Sequence, residues 1–197
     1  MSIMKQTHSC VRSVWDERID DVIGREGKYT DDPVDRGGAT IWGITEAEAR
    51  AWGYAGPMRD MPRAEAERIY RARYVTGPGF DLIGEIDGPI AARLFDCGVN
   101  CGTGTAARFL QRVLNVLNDQ GRLWLDLVVD GAAGQATRYA LTQLIARRGA
   151  EGRRVVLAAL AGLQGARYVE IAERDETQER FEWGWLVARA FPKGDIQ

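Results

Sequence analysis

Apolar side chains near the start of the chain fall at Val11, Val14, Trp15, Ile19, Val22 and Ile23. Steps of three and four place them on one face of a helix. Gly24 and Gly27 end the pattern, so the spacing predicts a helix that closes with Glu26 at its C-terminal end. The next stretch, KYTDDPVDRGGATIWGIT (28–45), is rich in Asp, Gly and Pro and turns to Thr, Ile and Trp towards its end. It predicts a turn-rich loop with a short hairpin. Thr45 then caps a second helix, and Glu48, three residues on, completes a capping box.

Further along, the pattern predicts a helix from Pro62 to Tyr74, proline being tolerated in a first turn. The stretch 77–88 (GPGFDLIGEIDG) reads as a connector. Asp87 is placed to cap a helix over 89–100, with Pro89 in its first turn. Helical spacing returns over 105–117, 135–147, 153–172 and 177–190, and Pro192 follows the last of these. Strand content is small and no repeat of solenoid length occurs. The expected fold is mainly α, with a short β-hairpin or loop after the first helix.

Composition narrows the class. In 197 residues, hydrophobic side chains make up 45% and charged ones 27%, which excludes general disorder. A formal net charge of −2 gives no global field to recruit nucleic acid or an anionic membrane. Basic residues cluster at 63–74 and 147–154, as solvated helix faces or as contacts to an anionic polymer. Cysteines stand at 10, 97 and 101 and the only histidine is His8. The odd cysteine count argues against a disulfide framework and for a reducing compartment at synthesis. Cys97 and Cys101 have helical spacing, but a zinc site needs more ligands than they and His8 offer, so free buried thiols are expected. One histidine in a terminal tail also argues against a Ser-His-Asp or Cys-His centre. No run approaches the ~20 apolar residues of a membrane span, and the N-terminus lacks the apolar stretch of a signal peptide. Synthesis in the cytosol is expected.

The loop after the first helix carries the candidate chemistry. The C-terminal end of a helix disfavours an ionised carboxylate, and partial burial acts in the same direction. Glu26 is therefore placed to stay protonated, as a general acid must. Asp35 stands in a Gly-rich turn, where it should be solvated and ionised; Thr40 and Trp42 follow. A protonated Glu opposite an ionised Asp is what glycoside hydrolysis requires. From spacing alone a plainer reading stays open, with Glu26 a surface residue after a helix and Asp35 a turn former.

REGKYTDDPVDRGGATIWGIT (25–45) resembles the signature of the glycoside hydrolase 108 family, bacterial and phage N-acetylmuramidases. That signature runs Glu-Gly-Gly-Tyr, then Asp-x-Gly-Gly-x-Thr-x-x-Gly-Ile. Glu26, Gly27, Tyr29, Asp35, Gly37, Gly38, Thr40, Gly43 and Ile44 match it, and Lys28 departs from it. The stretches 64–75 and 95–115 are similar to later blocks of the family. VDGAAGQAT (129–137) and GWLVARAF (184–191) resemble its C-terminal peptidoglycan-binding region.

The resemblance implies a lysozyme-like fold and cleavage of the β-1,4 bond between N-acetylmuramic acid and N-acetylglucosamine. It makes Glu26 the catalytic acid, with Asp35 and Thr40 handling the water. Tyr29 and Asn100 would line the cleft, and Trp42, Trp52 and Tyr70 are candidates to stack on sugars. Trp183 and Trp185 are assigned to packing of the last helix. No metal or organic cofactor is implied. The expected division is a catalytic region over 1–96 and a helical peptidoglycan-binding region over 97–197 packed on it. The expected partner is bacterial peptidoglycan, with no nucleic acid and no membrane insertion. A monomeric phage or prophage endolysin, released through a holin to act on the wall, fits these expectations. Two rivals stay open: a lytic transglycosylase at the same site, and a non-catalytic wall-binding or virion-structural protein.

Overall fold

Ile19 and Ile23 lie one helical turn apart and are buried to 1% and 0% exposure. They seat α1 (Val14–Glu26) on α3 (Arg63–Arg71), whose inner face carries Ala66, Ile69 and Tyr70. Ion pairs Asp16–Arg71 and Asp20–Arg63 flank that seam. Their side chains are part exposed, so solvent screens both pairs. Burying each isoleucine contributes about 1.5–3 kcal/mol, and the apolar seam dominates. The computed structural model describes residues 13–26, 29–31 and 38–190. Its backbone forms two compact units, one up to Arg73 and one from Tyr74.

In the first unit, α1 opens on a cap that the apolar pattern does not reveal. Ser13 Oγ accepts from Asp16 N at 3.2 Å, and Asp16 Oδ2 accepts from Ser13 N at 2.7 Å. This reciprocal pair starts the helix at Val14; Val11 lies outside the described residues. The expected hairpin is present as β1 (Thr40–Ile41) and β2 (Ile44–Thr45), antiparallel, with Thr40 opposite Thr45 and Ile41 opposite Ile44. Thr45 and Glu48 form the expected capping box of α2 (Glu46–Ala51). Glu48 also pairs with Arg73, tying α2 to the chain beyond α3. The helix expected to reach Tyr74 ends its α geometry at Arg71 and continues as a wider π turn over Ala72–Thr76.

The second unit is wholly helical and looped among the described residues. The stretch read as a connector contains α4 (Phe80–Gly84), because Phe80 and Ile83, both at 0% exposure, draw one turn into the core. Asp87 caps α5 (Gly88–Cys101) through Oδ1 on Ile90 N, while its Oδ2 accepts from Arg153 Nε at 2.6 Å. α5 packs against α4, α6 (Thr103–Val116) and α7 (Gln135–Arg174). The expected division at 96/97 falls inside α5.

The two helices expected over 135–147 and 153–172 meet in α7, which breaks at Gly149 (φ 51°, ψ −133°). One 18-residue stretch of α7 reaches a mean hydropathy of 1.3, enough by length and composition to cross a membrane. Its buried positions, Val156, Leu160, Gln164, Tyr168 and Ala172, form a stripe that packs into the unit, as in a core helix. The last segment, expected as one helix, is a 3₁₀ turn, then α8 (Glu179–Trp185), then a π turn over Leu186–Ala190. Trp185 packs on Tyr168, ring centroids 5.4 Å apart. Trp183 does not pack as expected and is 81% exposed, since two residues along a helix turn a side chain to nearly the opposite face.

Between α6 and α7, the far end of the loop over 117–134 is wired to one buried amide. Gln111 Nε2 donates to Asp130 Oδ1 at 2.7 Å and Ala132 O at 2.9 Å, and Gln111 Oε1 accepts from Gly131 N at 2.9 Å. The Gln111 bond, with help from the Ala132 amide, holds the Asp130 carboxyl below its usual range. Gly131 sits at φ +85°, and a Cβ there would meet Arg108 Nη1 at 2.6 Å and Gly104 O at 2.9 Å. At Gly134 a Cβ meets nothing within 4 Å. Gly131→Ala is therefore expected to lower the unfolding free energy of the chain by about 2 kcal/mol or more. Gly134→Ala should stay within about 0.5 kcal/mol of the parent. Urea denaturation of both variants checks the contrast, and equal stabilities would contradict this account of the turn.

Candidate active site

Glu26 is the last residue of α1, so the seam with α3 fixes its backbone. Its side chain, and all of Asp35, lie outside the described residues. Four residues beyond Glu26, Thr30 pairs with Thr40 in an antiparallel bridge: Thr30 N donates to Thr40 O at 2.9 Å and Thr40 N to Thr30 O at 2.8 Å. The bridge closes the loop that carries Asp35 at its base. It also sets Thr40 beside the chain leaving α1. Four residues span at most about 14 Å, so Thr40 is held near the end of the helix by covalent reach alone.

The hairpin carrying Thr40 turns through two residues, Trp42 (φ 57°) and Gly43 (φ 73°). Positive φ at both central positions is the type I′ turn that matches strand twist. Glycine adopts it freely, whereas a bulky residue at the first position costs about 1–2 kcal/mol. Two bonds fix that residue. Trp42 Nε1 donates to Met61 O at 3.0 Å, and Tyr70 Oη donates to Trp42 O at 3.2 Å. Tyr70, at 5% exposure, thus braces the turn from α3, and Trp42, half buried, anchors it to the segment before α3.

Tyr29 is half buried; its hydroxyl donates to Asp31 Oδ2 at 3.0 Å, and the Arg59 guanidinium lies over its ring, 5.1 Å from the centroid. Thirty residues separate Tyr29 from Arg59, and no local spacing signals that contact. Trp52 ends α2, and its carbonyl accepts from Arg68 Nη2 at 2.9 Å. Asn100 belongs to the second unit, on α5, with Nδ2 donating to Asp96 O at 2.6 Å. The structure therefore gathers Glu26, Tyr29 and Thr40 at one end of α1, with Trp42 and Tyr70 bracing the hairpin.

Cys97 and Cys101 are one turn apart on α5, the first buried and the second half buried, and both are free thiols. A hydrogen bond with Cys101, reinforced by burial, pushes the Cys97 thiol well above its usual range. Among the described residues, no group of three or more His, Cys, Asp and Glu side chains is placed to hold a metal. His8 and Cys10 lie outside the described residues.

Within a mainly α lysozyme-like fold, α1 thus ends in a glutamate and is followed by a bridged loop and a threonine-bearing hairpin. Residues 19–102 match the Glycosyl hydrolase 108 family model, and residues 105–190 match that of the Predicted Peptidoglycan domain. The chain thus carries a glycosyl hydrolase 108 region followed by a peptidoglycan domain, and it is a glycosidase directed at peptidoglycan. The first match runs from α1 to the end of α5, so it includes Glu26, Tyr29, Asp35, Thr40, Trp42, Tyr70 and Asn100. The solved structure of Brucella abortus SagA is similar in fold, with a TM-score of 0.56 and 23% identity over 91% of this chain and 97% of that one. No curated protein matches the sequence.

Two measurements follow. Tyr70→Phe removes one hydrogen bond and leaves the buried ring, so it should cost about 1 kcal/mol of stability. A variant that melts like the parent would mean the brace on the Trp42 turn is idle. Iodoacetamide should leave Cys97 unmodified in the native chain and alkylate it in denaturant, because a neutral buried thiol is a poor nucleophile. Peptide mass spectrometry reads both states, and rapid native alkylation of Cys97 would contradict its environment.

Proposed function

We propose that this chain hydrolyses the β-1,4 bond between N-acetylmuramic acid and N-acetylglucosamine in the bacterial wall, with Glu26 as the general acid. The observation that carries the reading is the Thr30–Thr40 bridge beside the end of α1, inside the stretch that matches the glycosyl hydrolase 108 model. A glycosidase needs an acid to protonate the leaving oxygen and a second group on the other side of the sugar to direct water. Glu26 supplies the first. Asp35, in the segment that the bridge closes, polarises the water. Thr40, whose backbone is pinned by two hydrogen bonds to Thr30, orients that water with its hydroxyl. Tyr29, stacked under Arg59, contributes to the floor of the cleft, and Trp42 keeps the hairpin in register with it.

Preorganisation is the physical content of this assignment. Thr40 lies on a two-residue strand with bonded neighbours on both sides, so ordering it at the moment of reaction costs little. The peptidoglycan domain supports binding of the same polymer that the acid cleaves.

Loss of a positioned general acid costs about 10²–10⁴-fold in rate. Glu26→Gln keeps the shape and removes the proton, so it should abolish release of soluble muropeptides while leaving thermal stability unchanged. Mass spectrometry of the products from the parent should show a reducing N-acetylmuramic acid end. A 1,6-anhydro end, lighter by one water, would replace hydrolysis by transglycosylation. Wall lysis by Glu26→Gln at the parental rate would remove Glu26 from the reaction.

A further inference from the structure

The turn before α3 holds a cation beside the candidate site. Met58–Asp60 form one 3₁₀ turn, and Met58 and Met61, three positions apart, are buried to 4% and 3% exposure. The two residues between them, Arg59 and Asp60, are left outside. Met61 N donates to Met58 O at 3.1 Å, which closes the turn. Met61 O accepts from Trp42 Nε1 at 3.0 Å, which ties the turn to the hairpin of Thr40, and the turn packs against β1. Arg59 therefore stands on a fixed base. Its guanidinium lies over the ring of Tyr29, three residues beyond Glu26 and adjacent to the Thr30–Thr40 bridge.

The charge of Arg59 has no counterpart nearby. Arg50, Arg63, Arg68, Arg71 and Arg73 of the same unit each close an ion pair with a carboxylate. Arg59 forms no ion pair and no hydrogen bond among the described residues, and its one contact of this kind is with the Tyr29 ring. A guanidinium donates through N–H groups that lie in its own plane, and contact with a ring face consumes none of them.

We infer that Arg59 is a specificity-determining residue, which binds a carboxylate on the lactyl-peptide arm of the muramic acid unit. The inference rests on the muramidase reading and names a part of the polymer that the reading leaves open. N-acetylated amino sugars are uncharged, so the glycan backbone offers a cation nothing to pair with. The anions of peptidoglycan are carboxylates, and they hang from the muramic acid, on the peptide where one is attached and on the lactyl group where none is. A planar carboxylate matches two parallel N–H bonds of a guanidinium. Contact with Tyr29 restricts the guanidinium before the ligand arrives, so less freedom is lost on binding. A polymer of N-acetylglucosamine alone has the same β-1,4 linkage without the charged arm, and Arg59 separates the two polymers on that charge.

The test uses the full chain as Glu26→Gln, so that no ligand is consumed, and disaccharide probes of N-acetylglucosamine and N-acetylmuramic acid. One probe carries its tetrapeptide, one carries the same tetrapeptide with its carboxylates converted to methylamides, and one has no peptide and a free lactyl carboxylate. The arginine Nε–Hε resonances are read during titration, and that of Arg59 is identified by its absence in Arg59→Lys. It should shift and saturate with the acidic tetrapeptide probe and stay unmoved with the methylamide. By calorimetry, the preference for the acid over the methylamide should fall about fivefold in Arg59→Gln, the size of one solvent-screened ion pair. Arg59→Lys keeps the charge and should lose less of that preference. Both variants change an exposed side chain and should melt like the parent. A shift with the peptide-free probe as well locates the carboxylate on the lactyl group, and a shift with the tetrapeptide probe alone locates it on the stem. An Arg59 resonance that ignores both acidic probes, or answers the methylamide equally, overturns the inference, as does an unchanged preference in Arg59→Gln. The resonance is read without turnover, whereas the product assay of Glu26→Gln reads the hydrolase assignment, so failure of one is told from failure of the other.

Discussion

The first unit depends on the burial of two isoleucines. Ile19 and Ile23 have nowhere to go but the face of α3, and that seating determines where α1 ends. A catalytic acid at a helix terminus is only as well placed as the helix beneath it. The flanking ion pairs Asp16–Arg71 and Asp20–Arg63 choose the rotation of α1 more than they hold it, because solvent weakens them. The hairpin is then brought to the same end of the helix by the Thr30–Thr40 bridge. Its awkward turn is stabilised from α3 itself, through Tyr70. One helix thus positions both Glu26 and the hairpin of Thr40.

The second unit solves a different problem. An 18-residue loop over 117–134 carries little regular structure, yet a long loop of that kind usually has either order or function built into it. Here amide side chains substitute for secondary structure: Asn118 bonds Gly121 and Asp126, Asn115 bonds Leu127, and Gln111 bonds residues 130–132. Gln111, at 2% exposure, donates to Asp130 and Ala132 and accepts from Gly131, three successive residues. A buried amide half satisfied would be a liability; this one has partners on both oxygen and nitrogen. The glycine of the Asp-Gly pair is required for space, since the Arg108 side chain and the Gly104 carbonyl occupy the place of a Cβ.

Much of this was legible in the chain. The spacing of Trp15, Ile19 and Ile23 located α1, although Val14, expected on the same face, is exposed, and the Thr45–Glu48 pair located α2 through its cap. The break in α7 fell where two helical patterns were separated by glycines, and Asp87 was recognised as a cap. What periodicity could not supply were contacts set by tertiary packing. The helical turn at Phe80–Ile83 forms because two apolar side chains reach the core, in a stretch too short to show a period. The same limit hid the brace from Tyr70 to Trp42 and the stacking of Arg59 on Tyr29, which join residues 28 and 30 positions apart. For the candidate site, Glu26 and Thr40 were singled out by a motif. Tyr70 entered as a candidate for sugar stacking, and its place beneath the hairpin became visible only in three dimensions.

The glycine that breaks α7 carries a consequence for how the molecule can assemble. Gly149 holds φ 51° and ψ −133°, a combination open to glycine and strained for any other residue. Replacing it by alanine removes the bend's cheapest solution and favours a continuous rod of forty residues, about 60 Å long. The two halves would then lose the close approach that the bend allows. Gly152, where a Cβ would sit 2.9 Å from Leu144 Cδ2, shows how closely the halves approach in the bent form. The backbone at one glycine therefore decides whether α7 is a single rod or two helices that meet at a bend.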